Sequence, residues 1–221
     1  LIQMLNVVDD VLVMEEKAIY SIEKFLMARR LMYWQAYLHK TSLVAELILT
    51  KALKRAKELT IKGVSLPSSQ ALLFFMNNKI ELNGFPDSVL DKFSQLDDFD
   101  IISALKEWQN HDDFILSSLS KMIINRDLLK IKLSSDKLPT EEMHQLLERF
   151  SKQNAVSIQD AHYFIFKGKI KNQAYSKEAE PIHILKKDKT IEDVVEASDQ
   201  LNLKALSKPV TKYLSVTQNN C

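Results

Sequence analysis

The sequence predicts a mainly α fold that ends in a small α+β unit, and three observations carry that expectation. Gly occurs 3 times and Pro 5 times in 221 residues; both break helices, so their scarcity favours long ones. From Glu15 to Ile61 neither residue occurs, while Ile19, Ile22, Leu26 and Met27, then Leu43, Leu47 and Ile48, recur at helical spacing. After Asn154 the pattern shifts to short apolar and aromatic runs of the kind that form strands.

Residues 1–14 are apolar around Asp9-Asp10 and suit two turns, or a helix end and a short extended piece. One straight helix over 15–61 would be about 70 Å long. That exceeds a domain of this size, so a break is expected near Thr41-Ser42 or after Lys51. Lys54, Arg55 and Lys57 followed by Gly63 mark the end of the segment, since cations and Gly favour a helix C-terminus. Pro67-Ser68-Ser69 opens a helix over about 68–79, Asn83-Gly84-Phe85-Pro86 is a turn, and Asp87-Ser88 caps a helix ending near Leu96. Further helices are expected over about 99–109 and about 112–124, and from an N-cap at Thr140 to about Lys152. Strands are expected at Ala161–Lys167, Pro181–Leu185 and Lys208–Val216, with a helix from Thr190 to Ser198. Three segments follow: 1–65, 66–153 and 154–221.

Hydrophobic residues make up 46% of the chain, enough to bury a core. Lys and Arg number 30 against 29 Asp and Glu, so a net charge of +1 exerts no global pull on nucleic acid or a membrane surface. Nucleic acid is disfavoured as a partner, and any anion site must be local. The single cysteine, Cys221, permits no internal disulfide and no cysteine zinc set, which fits a reducing cytoplasm. No apolar run approaches the roughly 20 residues that span a bilayer. Leu1-Ile2-Gln3 has neither an initiator Met nor a signal pattern, and is expected to be a cut inside a longer protein. The glycine-rich dinucleotide fingerprint, the P-loop and the GxSxG elbow are all missing from the sequence.

The most informative stretch runs from Arg29 to Lys40, Arg-Arg-Leu-Met-Tyr-Trp-Gln-Ala-Tyr-Leu-His-Lys. On a continuous helix Arg29, Tyr33, Ala36 and Lys40 share one face, with Arg29 and Lys40 about 16 Å apart along the axis. They could serve two separate anion sites, or one site and a salt bridge. A charged and aromatic face of this kind also suits a solvated surface or a helix–helix interface.

Arg29, seven residues, then Tyr37-Leu38-His39-Lys40 resembles the HD-domain dNTP triphosphohydrolases, including the family that joins a SAM domain to an HD domain. Asn6-Val7-Val8 and Leu12-Val13-Met14 resemble the stretch after that family's last metal-binding Asp. Leu96-Asp97-Asp98-Phe99-Asp100, Ala104-Leu105-Lys106 and Ile124-Asn125-Arg126-Asp127-Leu128 are similar to its helical region. Glu196 to Leu201 with Leu206-Ser207-Lys208 looks like its bacterial members. The resemblance implies the helical part of an HD-domain phosphohydrolase, with 1–65 the last helices of the catalytic core, followed by a small α+β unit.

The same resemblance implies roles. Arg29 matches an arginine that contacts substrate phosphate, and Tyr37 a tyrosine lining the nucleotide pocket. His39 and Lys40 match residues near a regulatory nucleotide site, although Gln35 stands where those members carry an arginine. A dNTP-like substrate, a divalent metal ion in the full-length protein and a homo-oligomer are implied as well. The family holds its metal with a His, a His-Asp pair and a later Asp, a series this chain lacks. Its one His-Asp dipeptide, His111-Asp112, follows the Arg29 segment instead of preceding it and sits in a polar context; a solvated helix start is expected there. The chain is therefore expected to bind no catalytic metal and to be inactive alone. His162 and His183 are expected in strands. The runs Lys51–Lys57 and Lys186–Lys189 suit solvated faces. A non-enzymatic helical module for protein interaction or oligomerisation is the competing expectation.

Overall fold

A computed structural model of the protein describes residues 1–80, 86–199 and 208–218. The turn expected at Asn83-Gly84-Phe85 lies outside the described residues. The strands are β1 (Leu5–Val8), β2 (Val11–Glu15), β3 (Lys130–Ser134), β4 (Phe166–Asn172), β5 (His183–Leu185), β6 (Ile191–Asp193) and β7 (Val210–Thr217). The helices are α1 (Ile19–Met32), α2 (Lys40–Ile61), α3 (Gln70–Asn77), α4 (Asp87–Ser94), α5 (Asp98–Trp108), α6 (Phe114–Asn125), α7 (Thr140–Asn154), α8 (Ile158–Ala161) and α9 (Val194–Ala197).

The expectation of a mainly α fold is corrected: the fold is mixed α+β, 53% helical, with seven strands in two sheets among the described residues. Two elements account for the difference. β1 and β2 form an antiparallel hairpin, Leu5 opposite Met14 and Val8 opposite Val11. Its turn is Asp9-Asp10, both left-handed at φ 50° and 60°, a conformation that short polar side chains tolerate and that matches strand twist. β3, Lys-Ile-Lys-Leu-Ser, lies between the helices expected to end near residue 124 and to begin at Thr140; its alternation of Lys with Ile and Leu is the strand period. The sheets have strand orders β1-β2-β5-β6 and β3-β7-β4.

The chain divides into two compact units, Leu1–His39 with Ser134–Lys137 and Gly168–Leu214, and Lys40–Leu133 with Leu138–Lys167 and Ser215–Cys221. In the first, β2 runs parallel to β5 and β5 antiparallel to β6. Ala18, Ile19, Ile22 and Leu26 form one stripe at helical spacing and are buried with Ala174, Tyr175, Ile184 and Val194. Beyond Met32 the helix widens into a π turn over Tyr33–Tyr37, where the Leu38 N–H donates to the Tyr33 carbonyl at 2.7 Å. The break expected near Thr41-Ser42 thus falls at Leu38-His39, and α2 starts afresh at Lys40.

In the second unit, Ile48, Ala52 and Ala56 make a fully buried row on α2. The small side chains of that row let α6, with buried Leu116 and Leu119, approach closely. Trp108 is fully buried and donates its indole N–H to the Pro67 carbonyl at 3.0 Å. Gly63, at φ 86°, takes the left-handed turn past the end of α2 that a side chain would resist. Asp97 and Asp100 close a reciprocal capping box on α5. Pro139, rather than Thr140, occupies the cap position of α7.

The strand expected at Ala161–Lys167 is displaced. Ser157 caps α8, and the chain stays turned through Ile165, whose N–H donates to the Ala161 carbonyl at 2.9 Å. Phe164 stacks on Phe150 with ring centres 4.9 Å apart, so this aromatic run plugs the core and β4 begins only at Phe166. The helix expected over Thr190–Ser198 is divided between β6 and the four-residue α9, capped by Asp193.

Candidate functional site

In the first unit, α1 presents Phe25, Leu26 and Arg29 to a cleft of about 420 Å³ whose opposite wall is Gln173–Ser176 and Ala179–Ile182. Arg29 is half-buried and donates from Nη1 to the Ala174 carbonyl at 2.8 Å. Its guanidinium carbon lies 5.4 Å from the Tyr33 ring centre. One carbonyl and one ring fix the plane of the guanidinium, and no carboxylate among the described residues pairs with the rest of its fork of N–H donors. Beneath the cleft, Tyr175 is buried; its hydroxyl donates to Asp193 and accepts the Ile182 N–H at 3.0 Å. Burial, reinforced by the Asp193 carboxylate, pushes the tyrosine pKa up, so Tyr175 stays neutral and holds the cleft wall.

The structure strings Arg29, Tyr33 and Tyr37 along consecutive turns. The Tyr33 and Tyr37 rings are tilted with centres 5.0 Å apart, and Tyr37 is 58% exposed. His39 and Lys40 are exposed as well. The single helical face expected from Arg29 to Lys40 ends at Leu38, where the backbone leaves the helix at φ −99°, ψ 19°.

His111 faces its own helix start: its Nδ1 accepts the Asp113 N–H at 2.9 Å. His162 lies in the turn after α8 and not in a strand, whereas His183 does open β5. His144 pairs with Glu148 at 3.1 Å on the exposed face of α7. Among the described residues no three His, Cys, Asp or Glu side chains gather into a group that could hold a metal ion.

Sequence reasoning missed Arg55. Its Nε lies 3.1 and 3.2 Å from the two Asp113 oxygens, its Nη2 2.6 Å from Asp113, and its Nη1 3.3 Å from Asp160 and 3.6 Å from Glu58. Asp113 also caps α6 by accepting the Leu116 N–H at 2.8 Å. Burial alone would raise the Asp113 pKa, but the hydrogen bonds from Arg55 and Leu116 outweigh it and hold the carboxyl below its usual range. Nothing in the lysine-flanked sequence around Arg55 marks Asp113 and Asp160, which lie 58 and 105 residues away.

Residues 1–73 match the family model of the HD associated region. Over 158 residues, 71% of the chain, the sequence is 30% identical to the uncharacterized protein YwfO of Bacillus subtilis, covering 34% of that protein. A phosphohydrolase from Bacteroides thetaiotaomicron is 47% identical and superposes with a TM-score of 0.86 over 99% of this chain and 55% of that one. A hypothetical protein from Aquifex aeolicus, 19% identical, shares the fold alone, with a TM-score of 0.61 over 100% of this chain and 47% of its own. The chain thus spans about a third of the curated relative and about half of the solved structures. Its first 73 residues are therefore similar to the HD associated region, and the chain is similar to part of a phosphohydrolase. No helix among the described residues is long and apolar enough to cross a membrane.

Proposed function

We propose that this chain is part of a metal-dependent HD-type nucleotide phosphohydrolase that cleaves a phosphoester or phosphoanhydride of a dNTP-like substrate in the cytoplasm. The observation that carries the proposal is Arg29: it stands at the lip of a cleft, within the residues that match the HD associated region, with one N–H tied to Ala174. A planar guanidinium held this way meets a phosphate through paired, charge-assisted hydrogen bonds. Tyr37, one turn beyond Tyr33, offers a ring to sugar or base and a hydroxyl to a polar edge. His39 and Lys40, exposed at the junction of the π turn and α2, serve a neighbouring nucleotide phosphate. The divalent metal ion belongs to the full-length protein, held by the His, His-Asp and Asp series that this sequence does not carry. The whole protein forms a homo-oligomer, a role to which the exposed apolar side chains of the hairpin, Val7 at 61% and Leu12 at 60%, are suited.

The test is a panel of deoxynucleotides and ribonucleotides presented to the full-length protein with and without a divalent metal. Metal-dependent release of phosphate or a phosphate chain from a nucleotide is expected. A protein inert toward every nucleotide in the presence of metal would leave the non-enzymatic module standing.

A further inference from the structure

The second unit carries a cation-lined cleft that the proposed activity does not use. Lys51, Lys54, Arg55, Glu58 and Lys62 lie on one face of α2 or just past its end, and with Ser157, Gln159, Asp160, His162 and Tyr163 they line a cleft of about 420 Å³. Its two carboxylates are committed: Asp160 lies 3.3 Å from Arg55 and accepts from Ser157 at 2.9 Å, and Glu58 lies 3.6 Å from Arg55. Arg55 is in turn engaged at Nε and Nη2 by Asp113 and belongs to the scaffold. The three lysines remain. Lys54 and Lys62 are exposed and make no ion pair among the described residues. Lys51 donates to the His162 carbonyl at 2.7 Å and stands 4.0 Å from the Phe166 ring centre, contacts that orient its ammonium without neutralising it. Burial, then the neighbouring Lys54, pushes the Lys51 pKa down to about 8. Three ammonium groups that share a concavity, while its carboxylates face Arg55, are drawn to an anion.

We infer that this cleft binds the phosphate group of a small phosphorylated ligand, held by Lys51, Lys54 and Lys62. Its volume is in the range of small-molecule sites, roughly 300–1,000 Å³. The chain's net charge of +1 makes the attraction local, unlike the extended basic groove that a nucleic acid tracks. The site lies wholly in the second unit and stands independently of the role given to Arg29.

Amine acetylation of the full-length protein, read lysine by lysine by mass spectrometry, tests it with inorganic pyrophosphate as the probe. Pyrophosphate at about four times its dissociation constant should slow labelling of Lys51, Lys54 and Lys62 about fivefold against sodium chloride of equal ionic strength. Lys121 and Lys152, which do not line this cleft, should be unaffected. The double variant K54A/K62A should melt as the parent does and lose the protection of Lys51. Equal protection by chloride, no protection at millimolar pyrophosphate, or protection of Lys51 that survives in the double variant would overturn the assignment. Stronger protection by a single-stranded oligonucleotide than by pyrophosphate would overturn the small-ligand part of it.

Discussion

Arg29 and Arg55 face opposite fates in their respective units. Arg55 is ringed by Asp113, Asp160 and Glu58, and its side chain is only 13% exposed. Arg29 has a carbonyl and a ring, and no carboxylate among the described residues. A guanidinium whose donors are satisfied by carboxylates holds a fold together; one that keeps donors at the edge of a cleft is available to a ligand. The same side chain therefore holds the fold in one unit and, under the proposed function, meets a phosphate in the other.

The sharpest way to break the contrast is Asp113→Ala. It removes the bidentate partner of a largely buried arginine together with the α6 cap, and should cost about 3–5 kcal/mol of stability, seen as a fall in denaturation midpoint. Arg29→Ala should cost under about 1 kcal/mol in the same measurement, since it forfeits one hydrogen bond to a carbonyl. A comparable loss from both would erase the distinction.

Tyr175→Phe comes next. It leaves Asp193 without its donor and the Ile182 N–H without its acceptor, and should cost about 1–3 kcal/mol by thermal unfolding.

Asp113 also sets an acid limb. Its folded pKa is held below the ordinary 3.8, so its stabilisation is complete above that value and is lost as pH falls through the folded value. Asp113→Asn should be less stable at neutral pH and show a shallower acid limb in urea melts between about pH 5 and 2. An unchanged limb would mean that the pair with Arg55 is not stabilising.

Lys51 gives the smallest effect, a slope of the same sign in an alkaline window. Its folded pKa near 8 lies below the ordinary 10.5, so the unfolded chain holds the extra proton between those values and stability rises with pH there. Lys51→Met should flatten that rise and be no less stable at pH 7. Parallel stability curves for parent and variant would contradict the burial of a charged ammonium.

The helices were largely legible because Gly63 and Asp97 are local signals, readable within a turn of where they act. The hairpin was not, because its turn is Asp9-Asp10 with no Gly, and two-residue turns are ordinarily marked by Gly or Asn. β3 is five residues long and joins a sheet with β7, some eighty residues downstream, so its fate depends on distant pairing. Ala161–Ile165 has strand composition but is held in turns by stacking on Phe150, where tertiary packing overrides propensity. At the candidate site Arg29 stood out only through its resemblance to a known pattern. Its contact with Ala174, 145 residues away, leaves no trace in local spacing.

The most direct test of the account is nucleotide turnover per folded molecule, with the melting temperature, for Arg29→Ala and Arg29→Lys in the full-length protein. A charge-assisted bond of about 1.5–3 kcal/mol corresponds to about 10- to 150-fold. Arg29→Ala should lose turnover on that scale at an unchanged melting temperature, and Arg29→Lys should restore it only in part, because lysine keeps the charge without the fork. Full turnover in both variants, or a loss of stability that accounts for the whole effect, would contradict the account and return Arg29 to a structural role.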